Sequence, residues 1–264
     1  MKRRSLLLSL IAVSVAAACT VSGNAMAEDA LSTILARKVI RVAVPTDYPP
    51  YGSVGTDMTP RGYDIDMATL VAKKLGVKLE LIPVTGPNRV AYLQTKKSDL
   101  TISSLGKTPE REKVIDYSIA YAPFFDAVFG KQDIIAKNYS ELTGKVIAVT
   151  RGSMQDEELS RLAPGAVIKR FEDNNGTVSA FLAGQAQMFA TGTAVAATIK
   201  TKDPSVSMDL KVILSNSPCY IGVLKGEPQL VAKLNEIIRE AKSNGAIDEM
   251  SKKWLGAPAG ALPE

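Results

Sequence analysis

The 264-residue chain contains no histidine, only two cysteines and a single tryptophan. Without histidine, the commonest general acid–base group and the commonest transition-metal ligand are both missing. The cysteines, Cys19 and Cys219, are 200 positions apart and have no zinc-type spacing. No metal and no cofactor are therefore expected. Beyond the first 18 residues, no apolar run approaches the roughly 20 residues that cross a bilayer. Internal repeats and low-complexity tracts are also missing, and with them the repeat architectures.

The N-terminus carries an address. Lys2, Arg3 and Arg4 precede a run of small and apolar residues from Leu6 to Ala18, and Ala25-Met26-Ala27 supplies small residues for a signal peptidase. This is the pattern of a secretory signal peptide, and the run is too short for a membrane anchor. Ala16-Ala17-Ala18-Cys19 is a weaker, lipoprotein-type alternative. Cleavage after Ala27 fits better, because Glu28-Asp29 makes a polar mature start. Three of the 32 Lys and Arg residues lie in the leader, so 29 remain against 27 acidic residues and the net charge falls from +5 to about +2. That balance gives no argument for nucleic acid. Cys19 leaves with the leader, and Cys219, lacking a disulfide partner, reads as a small apolar core residue. The expected product is an exported, periplasmic, soluble monomer of about 237 residues, enough for two modest lobes.

Strand and helix signals alternate along this chain. Val39 to Val44 is a β-branched strand stopped by Pro45. Asp64 to Leu75 reads as a helix that Asp64 caps and Gly76 ends. Val77 to Val84 reads as a strand, Arg89 to Gln94 as a helix and Leu100 to Ser103 as a strand. A second series starts near Phe129. Its strands are Lys145 to Val149, Val167 to Phe171, Met188 to Ala190 and Lys211 to Leu214, and its helices are Ser153 to Leu162, Thr177 to Leu182 and Ala194 to Lys200. Tyr220 to Leu224 reads as a strand returning to the first sheet. Two helices follow, Gln229 to Lys242 and Ala246 to Trp254. The pattern is α/β. The chain would cross between lobes at Ala122-Pro123-Phe124-Phe125-Asp126 and at Asn216-Ser217-Pro218-Cys219, making residues 28–124 with 219–264 one lobe and 125–218 the other. Two crossings make a hinge, and the cleft beside a hinge is a usual place for a small ligand.

Six segments stand out together: Ile40-Arg41-Val42-Ala43-Val44 with Tyr48-Pro49-Pro50-Tyr51, Arg61-Gly62-Tyr63-Asp64-Ile65-Asp66-Met67-Ala68, Ser98-Asp99-Leu100, Ser103 through Arg111, Asp116-Tyr117-Ser118 with Tyr121, and Lys252-Lys253-Trp254-Leu255-Gly256. They resemble elements of the polar-amino-acid-binding proteins of ABC importers, the family-3 extracellular solute-binding proteins. They follow the family's order over nearly the whole mature chain. The resemblance implies a type II periplasmic-binding-protein fold, two α/β lobes on a two-strand hinge. It also implies capture of a carboxylate-bearing ligand, a polar or acidic amino acid, for delivery to an inner-membrane ABC permease.

The resemblance further implies site residues. Arg111, in the T-x-x-R element with Gly106 and Thr108 beside it, would clamp the carboxylate, since an arginine fork gives two parallel charge-assisted bonds. Read alone, without the motif, it is better taken as a surface arginine paired with Glu110 or Glu112. Ser103 and Ser104 would add donors. Thr150-Arg151-Gly152-Ser153-Met154 is a strand–turn–helix start whose free N–H groups suit an anion, although Ser153 is also an ordinary N-cap. Tyr48 would lie over the ligand, with Tyr51 a second wall or a core residue. Arg89, in the pair Asn88-Arg89, would meet a side-chain carboxylate. One departure stands out. Relatives bind the α-amino group with an aspartate in a T-D-S-A-V-A-like stretch, where this chain has Thr191-Gly192-Thr193-Ala194-Val195-Ala196; Gln187 replaces a second family aspartate. A buried ammonium without a counter-charge is costly. Either another acid serves, with Asp47 and Asp173 the candidates, or the ligand is a carboxylate without that amine. Two other classes of function stand beside the transport reading. Relatives on this fold act as dehydratases on cyclic carboxylates, for which this chain has no matching catalytic carboxylate motif. A sensor docked on a membrane receptor would require a partner, because the chain has no signalling domain of its own.

Overall fold

The computed structural model describes residues 29–264. The leader, with Cys19 and the cleavage site after Ala27, lies outside the described residues. The elements run α1 (Ala30–Arg37), β1 (Val39–Pro45), β2 (Asp47–Tyr48), β3 (Gly52–Val54), β4 (Pro60–Arg61), α2 (Tyr63–Leu75), β5 (Lys78–Val84), α3 (Arg89–Gln94), β6 (Leu100–Thr101), α4 (Pro109–Glu112) and β7 (Ile115–Ala122). They continue with β8 (Phe125–Gly130), β9 (Val146–Thr150), α5 (Met154–Leu162), β10 (Val167–Phe171), α6 (Asn174–Leu182), β11 (Met188–Gly192), α7 (Thr193–Lys202) and β12 (Asp209–Asn216). Last come β13 (Cys219–Leu224), α8 (Pro228–Ser243) and α9 (Ala246–Leu255).

Two five-stranded sheets result, ordered β5-β1-β6-β13-β7 and β10-β9-β11-β8-β12, with a small β2-β3-β4 sheet beside the first. In the first sheet β1 pairs in parallel with β5 and β6, and β13 runs antiparallel to β6 and β7. In the second, β9 is parallel to β10 and β11, while β8 is antiparallel to β11 and β12. The chain leaves the first sheet through Pro123-Phe124 and returns through Ser217-Pro218. These segments are tied where the Ser217 N–H donates to the Phe124 carbonyl at 3.0 Å. This is the α/β, two-lobed architecture expected of a type II periplasmic binding protein.

The core follows from strand alternation. Along β9, Ile147 and Val149 pack into one apolar cluster while Val146 and Ala148 pack into another, as period-two side chains on a sheet covered on both faces must. In the first lobe, Ile40, Val42 and Val44 of β1 belong to the same apolar cluster as Leu230, Leu234, Ile237 and Ile238 of α8, which packs mainly on β7. Each such fully buried side chain stabilises by roughly 1.5–3 kcal/mol. Cys219 lies in this core as a free thiol, the place expected of it.

Helix starts depart from the sequence reading in one place that matters. Gly62, not Asp64, occupies the N-cap of α2. Asp64 is fully buried in the first turn, where it accepts from the Ser104 N–H (2.8 Å), the Ser104 hydroxyl (3.1 Å) and the Tyr121 hydroxyl (2.5 Å). Its carboxylate thus holds Ser104, at φ 45°, in the left-handed region that a non-glycine residue seldom enters. Burial raises the Asp64 carboxyl to about 6, against the lowering effect of those three bonds.

A candidate ligand-binding site between the lobes

The lobes touch through side chains that the sheets aim across the cleft. Tyr48 of the first lobe is buried, and its hydroxyl accepts from the Gly192 N–H of β11 at 2.9 Å and the Gln155 amide of α5 at 3.2 Å. Burial, with the charge of Asp126, pushes that phenol up to about 12. Asp47 accepts from the Asn174 N–H at 2.7 Å and from its side-chain amide at 3.2 Å, at the N-terminus of α6. There the unpaired N–H groups and the positive end of the helix dipole favour a carboxylate.

Arg111 is the third tie. Its guanidinium donates to the Gly106 carbonyl (3.0 Å), the Gly152 carbonyl (2.9 Å) and Glu157 of α5 (2.9 Å). Glu157, rather than Glu110 or Glu112, is its acidic partner. Arg111 is buried and its fork is engaged across the cleft. Arg151 extends into solvent with Glu172.

Between these ties lies a narrow pocket. Six of the residues singled out from the sequence line it: Tyr48, Arg89, Ser104, Gly106, Ser153 and Met154. The other six sit around it. Ser103 is fully buried with no partner for its hydroxyl, and Thr108 caps α4 through the Arg111 N–H. Thr150 bonds Asn174 and Thr177 inside the second lobe. Gly152 makes the φ 65° turn ahead of α5, with its N–H on Asp156. Gly192 is closed off by Phe124, whose ring would stand 2.6 Å from any Cβ placed there. Arg111 completes the six. Ser153 caps α5 by accepting from the Asp156 N–H at 3.2 Å, so Met154 and Gln155 are the first helical residues, whose N–H groups have no acceptor within the helix.

Sequence reasoning missed Phe124, Asp126, Gln155, Asn174 and Ser217 as lining residues. Phe124, Asp126 and Ser217 lie in the two crossing segments that the sequence did mark. The acid in Phe124-Phe125-Asp126-Ala127-Val128-Phe129 is the available signal: a lone charge in an otherwise apolar run. Neither acid proposed from the sequence is free, because Asp47 holds α6 and Asp173 caps it through the Gly176 N–H.

The pocket's electrostatics rest on two side chains. Arg89 is buried, its Nε has no partner, and burial followed by the nearby Arg111 charge lowers its pKa. Asp126 is fully buried; Oδ2 accepts from the Ser215 hydroxyl at 2.8 Å and Oδ1 has no partner. Burial raises its carboxyl to about 7. Neither takes part in an ion pair among the described residues. A buried charge without a partner is expensive, so both groups are poised for a ligand carrying the opposite charges. No cluster of metal-ligating residues occurs among the described residues.

A family model of the bacterial extracellular solute-binding proteins, family 3, matches residues 40–257. The chain belongs to that family. As a solute-binding protein it is similar to the L-cystine-binding protein TcyJ of Escherichia coli K12, 24% identical over 96% of both chains. It is also similar to the ABC transporter glutamine-binding protein GlnH of Bacillus subtilis, 27% identical over 94% of this chain and 95% of that one. Among solved structures, an ancestral amino acid-binding protein described as a precursor of cyclohexadienyl dehydratase superposes with a TM-score of 0.76. It is 30% identical, covering 86% of this binding protein and 99% of its own chain. Among the described residues of this binding protein, no helix is long and apolar enough to cross a membrane.

Proposed function

We propose that this protein captures a small carboxylate-bearing solute of the amino-acid class between its lobes and delivers it to the permease of an ABC importer. The hinge lies at residues 123–124 and 217–218, with 28–124 and 219–264 forming one lobe and 125–218 the other. The leader is removed after Ala27 and the product works as a periplasmic monomer. The observation that carries the reading is Arg89, a buried guanidinium lining the interlobe pocket with no ion pair among the described residues and an unpartnered Nε, beside the open N–H groups at the start of α5. The names of the cystine- and glutamine-binding relatives support the ligand class.

The geometry favours Arg89 as receptor of the ligand carboxylate and Arg111 as a tie between lobes, whereas the motifs suggest Arg111 as the carboxylate clamp and Arg89 as the partner of a side-chain carboxylate. Arg89→Met and Arg111→Met separate the two. A bidentate charge-assisted pair contributes about 3–5 kcal/mol, so Arg89→Met should weaken binding about 100-fold or more by calorimetry, and should raise the ligand-free melting temperature because a buried unpaired charge is gone. Normal affinity in Arg89→Met with none in Arg111→Met would return the carboxylate to Arg111.

Asp126, a buried acid near 7 in the pocket, and the likeness to a dehydratase precursor favour a second reading, a dehydratase-like enzyme on a cyclic carboxylate. Depletion of such a substrate by the purified protein, followed by NMR, would establish it.

A further inference from the structure

Among the described residues, Arg89 and Asp126 are the only charged ones lining the pocket. Neither forms a salt bridge among those residues: opposite charges act on each only from a distance, Asp64 and Asp47 on Arg89, and Arg111 and Arg89 on Asp126. Both are more than nine-tenths buried, and each keeps an unpartnered atom. A solute satisfying both must itself carry one negative and one positive group and leave no net charge behind. The rest of the lining is neutral, including Tyr48, Phe124, Met154, Gln155 and Asn174, so a further charge on the solute would find no partner. Ser104 adds to this. Its hydroxyl proton is committed to Asp64, which leaves the oxygen's lone pairs facing the pocket as an acceptor.

The sheet explains why the acid stands where it does. Asp126 on β8 pairs directly with Gly192 on β11. Side chains of directly opposed antiparallel residues project from the same face, Cβ atoms about 5 Å apart. An aspartate at 192 would be a like charge directly opposite Asp126, and its Cβ would enter the Phe124 ring. Glycine at 192, phenylalanine at 124 and aspartate at 126 form a mutually compatible set that moves the negative charge by one strand.

Resting on the proposed capture of a carboxylate-bearing solute at Arg89, we infer that Asp126 receives the α-ammonium of the ligand and that the pocket selects α-amino acids with uncharged side chains. Asp126 faces Ser215 on β12 and feels Glu158 of α5, Arg111 and Arg89. Of these only Glu158 opposes its ionisation, and Glu158 is itself paired with Arg161.

Calorimetric titration of the ligand-stripped protein tests this with three panels: the uncharged common amino acids; glutamate, aspartate, lysine and arginine; and the des-amino carboxylate matching each uncharged amino acid. At least one uncharged amino acid should bind, its des-amino counterpart should bind about 30-fold more weakly or worse, and Asp126→Asn should lose the same factor for the amino acid alone. The des-amino comparison uses the unaltered chain and so does not depend on the variant folding. Equal affinity for an amino acid and its des-amino counterpart overturns the inference, as does an Asp126→Asn variant binding within threefold of the wild type. Binding confined to acidic or basic amino acids overturns the selectivity. Failure of every carboxylate in all three panels is a different pattern, and it removes the capture reading itself.

Discussion

Asp126→Asn should reshape the ligand-free protein's stability against pH, and the sign is opposite to that of an ordinary salt-bridged aspartate. In the fold the Asp126 carboxyl sits at about 7 because burial penalises its charge, against an ordinary value of 3.8. The native state therefore binds this proton more tightly than the unfolded chain. Above pH 7 the charged form subtracts from stability. As pH falls through 7 the fold takes up the proton and the penalty is relieved, until near pH 4 the unfolded chain takes it up as well. A gap of about three pH units corresponds to about 4 kcal/mol, of which about 2–3 kcal/mol falls between pH 8 and pH 5. Urea unfolding of both proteins, stripped of ligand, at pH 5, 6, 7 and 8 reads this directly. Asp64, raised to about 6, adds a similar but smaller trend that is present in both proteins and cancels in the difference. The wild type should gain about 2–3 kcal/mol relative to Asp126→Asn on acidification, the variant being the more stable at pH 8. Ligand reverses the trend, because an ammonium favours the charged carboxylate and its affinity in the wild type should decline below pH 7. Parallel stability curves for the two proteins would refute the claim that burial outweighs the nearby Arg111 and Arg89 charges and raises the Asp126 carboxyl.

Gly192→Asp, which introduces an acid at the position where relatives carry one, should fail to improve binding. It should lower stability by about 1–3 kcal/mol by calorimetry, since its Cβ must displace Phe124 from its stacking on Tyr48 and its tilted contact with Tyr51. A wild-type melting temperature would refute that packing argument. Asp47→Ala removes the carboxylate that ties the first lobe to α6 and lines no part of the pocket. A charged hydrogen bond contributes about 1.5–3 kcal/mol, so affinity should fall about 10-fold or more through faster dissociation in stopped flow, with the lobes more open by solution scattering. An unchanged dissociation rate would show that this contact does not hold the lobes together.

Much of the architecture was legible because it is written in short-range patterns. Val39 to Val44 is β-branched and ends in proline, α8 carries Leu230, Leu234, Ile237 and Ile238 on one face, and Gly76 ends α2 in the left-handed region. Each of these depends on neighbours within a few residues. Asp64 was misread for the same reason. Local pattern made it a cap, but its partners Ser104 and Tyr121 are 40 and 57 positions away, brought to it by the sheet. The very short strands β2, β3 and β4 carry too few residues for a periodicity to register.

The sequence by itself determined that the chain builds two α/β lobes, that no histidine is available to the cleft, that Arg89 and Arg111 are both present, and that position 192 offers no acid. Only the tertiary structure decided how the charges are used. Arg111 is engaged because Gly152 and Glu157, 41 and 46 residues on, come across the cleft to it, while among the described residues no acid forms an ion pair with Arg89. Asp126 lies beside Gly192 because β8 and β11 pair in one register, 66 residues apart in the chain. The physical reason is that a charge acquires its character from burial and from which opposite charges stand within a few ångströms. In a protein of two lobes on a hinge, that neighbourhood is assembled from distant stretches of chain, so composition and spacing name the groups and the fold pairs them.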